Sequence, residues 1–253
     1  MNLPATEPQA LPHRSTLAGW TLLEYEVVSS TNFVAADLPA WHAVRAATQT
    51  AGRGRFSRSW ISDAGGLWLS AVIPTGPDDR WRTLPLVAGL SVIDSLRELG
   101  VAHARLRWPN DIMVNNKKLA GLLVDSFSPG LAVIGIGVNV TNHPESHDAS
   151  LKNITTTLAD LVPGSASTAT LTAVILKSLR SAVDQLADSG FGPLESRINQ
   201  MWGGPRRVIL DLDGVHRFGL FTGVDDAGRL VLRDDAQRLS TFEPHQVRLL
   251  REV

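Results

Sequence analysis

The chain has no cysteine. Disulfides, thiolate zinc sites and cysteine nucleophiles are excluded, and such a chain suits a reducing compartment, so a cytoplasmic location is expected. It also lacks any apolar run of the roughly 18 residues that a membrane-spanning helix requires, and its N-terminus lacks the basic-then-apolar order of a signal peptide. Charge of either sign is not in excess. A formal net charge of −1 gives no bulk electrostatic basis for nucleic-acid binding, so any phosphate handled here must be met locally. Three common site motifs are missing: there is no GxxxxGK[ST] phosphate loop, no complete GxGxxG fingerprint and no GxSxG elbow. His143-Pro144-Glu145-Ser146-His147 lacks HExxH order, and its proline interrupts any helix that could present both histidines. It reads as a surface loop rather than a zinc site.

What is present is an ordinary globular composition. With 253 residues, 43% of them hydrophobic and 19% charged, the chain can bury one sizeable core and add a small second domain. Residues 1–15 carry Pro4, Pro8 and Pro12 without apolar periodicity, which predicts a mobile leader. Leu67, Leu69, Ala71 and Ile73 alternate as in a half-buried strand. Leu84, Val87, Leu90, Ile93, Leu96 and Leu99 recur at helical spacing and stop at Gly100. Short β-rich runs at Leu122 to Val124 and Ala132 to Val140 suit central strands, and Leu171 to Leu186 has the apolar stripe of a second helix. Gly203-Gly204-Pro205 then breaks the chain. Beyond it, Val208 to Leu212, Arg217 to Val224, Leu230 to Arg233 and Val247 to Leu250 read as strands, with a turn at Asp225-Asp226-Ala227-Gly228. The tail is expected to be a small β-barrel.

Six polar clusters in the first 140 residues look chemical. Gly52-Arg53-Gly54-Arg55-Phe56-Ser57-Arg58-Ser59-Trp60 sets three arginines on a glycine-loosened backbone, which suits closure over a phosphate or carboxylate; a solvated Arg-Gly turn is the plainer reading. Ser29-Ser30-Thr31-Asn32 could cap the helix that follows it. Thr48-Gln49-Thr50 offers uncharged donors and acceptors of the kind that read an amide or ureido group. Arg107-Trp108-Pro109-Asn110-Asp111 is either a turn or a phosphate-side cluster in which Asp111 helps hold magnesium. Lys117-Lys118-Leu119-Ala120-Gly121 brings two ammonium groups to a strand, with a solvated hairpin tip as the alternative. Gly135-Ile136-Gly137-Val138-Asn139-Val140 adds a strand with glycines that permit close ligand approach.

In this order and at these separations the clusters resemble the biotin protein ligase family, from about Glu24 to Leu250. Ser30-Thr31-Asn32, Gln49 to Arg55, Arg58-x-Trp60, Trp108 to Asp111, Lys118 to Gly121 and Gly135-x-Gly137-x-Asn139 carry the match. The resemblance implies an α/β (α+β) fold: a mixed-sheet, class II synthetase-like biotin/lipoate ligase catalytic domain over residues 16–202, followed by an SH3-like β-barrel over 203–253. It implies a biotin–[acetyl-CoA-carboxylase] ligase that uses biotin, ATP and Mg2+ to make biotinyl-5′-AMP and passes biotin to a lysine of a biotin carboxyl carrier protein. Lys118, Arg53 and Arg55 would be catalytic. Biotin would meet Ser30, Thr31, Asn32, Gln49, Gly52, Arg53, Gly54, Arg55, Lys118, Gly121 and Gly137. ATP would meet Arg55, Arg58, Trp60, Asn110, Lys118 and Asn139, with Asp111 toward magnesium. The arginine loop would be disordered until ligand orders it. Two positions depart from the family pattern: Ser57 stands where glycine is usual and Arg107 where lysine is usual. The alternatives are a lipoate or octanoate ligase or transferase of the same superfamily and a biotin-responsive repressor. The residues ahead of Glu24 are too few for a helix-turn-helix domain, so a monofunctional enzyme without specific DNA binding or a membrane partner is expected.

Overall fold

The computed structural model describes residues 11–75, 82–164 and 167–253. The first ten residues of the expected leader lie outside that range, but its end does not behave as a leader. His13–Leu17 forms strand β1, which pairs antiparallel with β2 (Trp20–Val28) through the tight turn at Ala18 and Gly19. Both turn residues have positive φ, 51° and 81°, as a two-residue hairpin demands.

Eight strands make one mixed sheet in the order β1-β2-β3-β4-β8-β7-β6-β5. The others are β3 (His42–Gln49), β4 (Leu67–Pro74), β5 (Arg105–Arg107), β6 (Asp111–Val114), β7 (Lys117–Ser128) and β8 (Leu131–Val138). Only the β2–β3 pair is parallel. A parallel pair needs a crossover, and helix α1 (Thr31–Ala35) lies in it.

The sheet separates core from site. Helices α2 (Leu84–Glu98) and α4 (Thr168–Ser189), with the short α3 (Leu158–Leu161) between them in sequence, give the apolar side chains that pack with Leu67, Leu69, Ala71 and Ile73 of β4 in the main core. On the other face Val72 joins Ala35, Val44 and Val133 in a small cluster under α1. Strand β4 is therefore buried on both faces through Ile73, not half-buried as its alternation suggested. Its second face carries Trp68 and Ser70 toward the site rather than toward water.

The helix ends follow local chemistry. α2 stops before Gly100, whose φ of 92° suits glycine; Thr157 and Asp160 cap α3 reciprocally. Helix α5 (Gly192–Met201), not foreseen, starts with Pro193 in its first turn.

Beyond Gly203 and Gly204, both at positive φ, strands β9 (Arg206–Leu212), β10 (Val215–Val224), β11 (Leu230–Arg233), β12 (Leu239–Phe242) and β13 (Leu249–Glu252) form an antiparallel sheet in the order β12-β11-β10-β9-β13. Among the described residues no pairing joins β12 to β13, so hydrogen bonding does not close the expected barrel. The final strand keeps its expected length but lies two residues later than expected, Leu249–Glu252 rather than Val247 to Leu250, because the 3-10 turn Pro244–Gln246 comes just before it. This sheet is seated on the larger one. Trp108 donates Nε1–H to Gly228 O (3.1 Å) across the join, and Trp202, whose indole donates to Leu106 O (2.6 Å) on the large-sheet side, sets its ring edge-on against Phe221 of β10 (ring centres 4.6 Å apart).

Candidate active site

One cavity of about 460 Å³ lies on the sheet face opposite α2 and α4. Its walls come from α1, the loop after β3, the β5–β6 turn, β7, β8 and the segment Val247–Leu250. Every residue expected to bind or catalyse lines it except Gly52. Gly52 acts through the backbone: its carbonyl accepts from Trp60 N–H (2.9 Å), and a Cβ there would fall 2.4 Å from Ser62 Oγ and from Trp60 O.

One end of the cavity is a hydrogen-bond network of amides and hydroxyls closed by an Arg53–Asp125 ion pair. Gln49 Oε1 accepts from Thr31 N–H (2.8 Å) and Thr31 Oγ1 (3.0 Å), while Gln49 Nε2 donates to Ser62 Oγ (2.8 Å). Ser70 Oγ donates to Asn32 Oδ1 (2.6 Å) and sits 2.7 Å from Thr31 Oγ1. Asn32 Nδ2 donates to Asp125 Oδ2 (2.9 Å), which Arg53 Nη2 also reaches (3.0 Å). The quartet before α1 therefore does more than start a helix: Ser30 holds the N-cap position without a side-chain cap bond, and Thr31 and Asn32 spend their side chains on the site. Ser70, Ser62 and Asp125 were not foreseen. A fully buried serine amid the apolar run of β4 and a carboxylate closing the apolar run of β7 were the signals available in sequence.

The other end is charged. Lys118 Nζ lies 2.6 Å from Asp111 Oδ1, and Arg107 Nη2 lies 2.6 Å from Asp111 Oδ2. Burial alone would push the Asp111 carboxyl up, but the charges and hydrogen bonds of Lys118 and Arg107 reverse this and hold it below its ordinary value. The hairpin tip is Asn115-Asn116, both at positive φ, so Lys118 points into the cavity instead of standing at a solvated turn. Asp111 has both oxygens on cations, and among the described residues no group of three His, Cys, Asp or Glu side chains could hold a metal. The donor set does not suit a resident magnesium ion.

Between the two ends Trp60 lies across the sheet. A Cβ on Gly121 would be 2.9 Å from its ring, and one on Gly137 would be 2.8 Å from its Nε1; these glycines make the floor on which the indole rests. Lys118 Nζ is 4.8 Å from the ring centre. Trp60 Nε1 and Arg53 Nε are buried without a hydrogen-bond partner among the described residues, a cost of roughly 1–3 kcal/mol each unless a ligand accepts from them. Asn110 Nδ2 donates to Leu122 O (2.7 Å), and Asn139 Oδ1 accepts from Asn142 (3.1 Å), which fixes both amides at the cavity wall.

The arginine loop is fastened to the rest of the chain through its own side chains. Arg55 donates to Asn110 Oδ1 (3.3 Å), to Val247 O (3.0 Å) and to Pro244 O, and Arg58 donates to Arg248 O (3.4 Å). Burial lowers the Arg55 pKa to about 10, a shift that Arg58 reinforces and Asp111 opposes; the guanidinium stays charged at neutral pH. Phe56 and Ser57 both sit in the left-handed region, φ 56° and 58°. Serine at position 57 thus holds a conformation that glycine adopts without steric cost.

A sequence profile of the Biotin/lipoate A/B protein ligase family matches residues 25–140. The biotin–[acetyl-CoA-carboxylase] ligase of Mycobacterium tuberculosis is 32% identical over 231 residues, 85% of this chain and 84% of that protein. The chain belongs to the biotin protein ligase family. The bifunctional ligase/repressor BirA of Bacillus subtilis is 31% identical, over 87% of this chain and 71% of the relative. The biotin protein ligase from Aquifex aeolicus, solved in complex with biotin and ATP, superposes with a TM-score of 0.82 at 26% identity and covers 92% of this chain and 99% of that one. A large mixed sheet with helices on one face is thus the ligase catalytic architecture, here carrying all six of the polar motifs read from the sequence.

Proposed function

We propose that the cavity is where biotin and ATP are joined: the chain is a biotin protein ligase that makes biotinyl-5′-AMP and transfers biotin to a lysine of a biotin carboxyl carrier protein. The observation that carries this is the convergence of an amide-and-hydroxyl network and a cationic end in one cavity, with two buried donors unmatched. The amide-and-hydroxyl end suits a ureido ring, whose carbonyl accepts and whose N–H groups donate. Thr31, Asn32 and Gln49 supply those partners, Ser70 holds Thr31 and Asn32 from behind, and Ser30, Gly54, Gly121 and Gly137 shape the walls.

The first step joins two anions. A biotin carboxylate oxygen attacks the α-phosphorus, the bond to the bridging oxygen breaks and pyrophosphate leaves; magnesium enters with the triphosphate as part of that substrate. Lys118 and Arg53 offset the repulsion at the reacting atoms, as fixed cations do where water is excluded. Arg55, Arg58, Asn110 and Asn139 border the nucleotide end, with Trp60 beside them. Asp111 serves by holding Lys118 and Arg107 rather than by ligating metal. Residues 203–253 are read as the SH3-like module of the family, on the strength of five short antiparallel strands in that place in the chain. The absence of cysteine fits a cytoplasmic setting.

The test is pyrophosphate exchange into ATP. Exchange that depends on biotin, and that lipoate or octanoate does not support, is the expected result; exchange driven by lipoate instead would transfer the site to the other branch of the superfamily.

A further inference from the structure

The second half of the reaction brings a lysine from a folded protein to an adenylate that already fills the reaction cavity. A second cavity of about 400 Å³ adjoins the first behind Arg55, Phe56, Pro109, Asn110, Leu122 and Leu123, which line both. The residues it does not share are Arg82 and Pro85 at the start of α2, Val124 on β7, and Glu243, Pro244 and His245 on the turn before β13.

The lining has the chemistry of a lysine side chain. Proline, leucine, valine and phenylalanine walls accept four methylenes, and charged groups stand at the margins. Glu243, 3.7 Å from Arg82, supplies a carboxylate for an arriving ammonium, and Arg82 with Arg55 favours acidic residues around that lysine. The partition toward the reaction cavity is made by Leu122 and Leu123 of β7, by Pro109 and Asn110, and by the Arg55 and Phe56 side chains, of which Phe56 is the one held by ring contacts alone. Phe56 is 38% exposed, at φ 56°, and rests between the guanidinium groups of Arg55 (4.8 Å) and Arg248 (5.5 Å). A ring held that way can move without breaking the sheet. Two walls come from the large sheet and one from the C-terminal turn, so the passage exists only because the smaller sheet is seated on the larger.

We propose that this second cavity admits the acceptor lysine, with the Arg55–Phe56 pair as the part of the partition it passes. The proposal rests on the ligase reading. The ammonium first gives a proton to solvent; the amine nitrogen then forms a C–N bond to the biotinyl carbon, the carbon–oxygen bond to phosphate breaks, AMP leaves with the electron pair, and a second proton goes to solvent.

Val124→Phe narrows the cavity from within and His245→Trp obstructs its exposed rim; neither residue borders the reaction cavity. Biotin-dependent pyrophosphate exchange and capture of the adenylate by hydroxylamine, a nucleophile small enough to need no passage, are expected to stay within about twofold of the unsubstituted chain. Transfer to a biotin carrier domain is expected to lose at least about tenfold in kcat/KM. Carrier transfer unchanged in both variants would overturn the proposal, as would hydroxylamine capture falling in step with carrier transfer, since the cavity would then serve the first step. Absence of biotin-dependent exchange in the unsubstituted chain would instead remove the ligase reading itself.

Discussion

Lys118 is legible as chemistry in the sequence but its setting is not. A strand lysine could stand at a hairpin tip; it turns inward because Asn115 and Asn116 take the two left-handed turn positions and because Asp111, two residues past the Trp108-Pro109 corner, waits 2.6 Å away. Replacing Lys118 with alanine leaves Arg107 on Asp111, so the fold is expected to survive while adenylate formation falls by about 100-fold to 1,000-fold, the range for losing one charge-stabilising donor. Pyrophosphate release measured beside an unfolding curve checks both halves. Asp111 gives a pH prediction. Its folded pKa is lowered, so its stabilising contribution is present above the ordinary carboxylate range near about 4 and is lost as pH falls through the lowered value. Asp111→Asn is expected to cost roughly 1–3 kcal/mol at neutral pH, with the gap to the parent shrinking in urea unfolding at about pH 3; a gap constant with pH would deny the ion pair its role. Ser70 and Asp125 escaped the sequence reading for a common reason. Each joins the site through partners distant in the chain, Asn32 for both and Arg53 for Asp125, and single-strand patterning carries no record of such pairings.

At the scale of elements, periodicity located what packs on one partner and missed what two partners define. Helices α2 and α4 were evident because each buries a stripe on the large sheet. β4 looked half-buried because alternation reports on the helix-covered face alone, whereas its second face is covered by α1 and the site. β12 was invisible, since its residues are exposed or half-buried and only the neighbouring β11 holds it. The arginine loop is the clearest case. Glycine and arginine content gives no sign of a tether, and carbonyls 189 and 192 residues further along the chain receive Arg55. The same side chain touches Asn110 at the reaction cavity, so its removal opens the flap at both ends. Arg55→Ala is expected to let the adenylate escape and label proteins without regard to sequence. Streptavidin blots of a mixed-protein reaction check this, and labelling confined to the carrier, with an unchanged adenylate lifetime, would count against enclosure by the loop.

The whole molecule sets a reaction cavity between a large mixed sheet and the turn of a smaller one. The resemblance read from six motifs anticipated the first and the order of the second. The seating of one on the other depends on the Trp108–Gly228 hydrogen bond, the Trp202–Phe221 ring contact and the Asp225–Gly228 turn. That join is long-range packing, which no local pattern encodes. It matters because the Val247–Leu250 wall of the reaction cavity belongs to the smaller sheet, so the chemistry is a property of the assembled chain. The measurement that bears most directly on the account is the intact mass of a biotin carrier domain after incubation with this chain, biotin and magnesium ATP. One biotinyl increment on one lysine, dependent on ATP, is the result predicted; a carrier of unaltered mass under conditions in which a known biotin protein ligase modifies it would contradict the account.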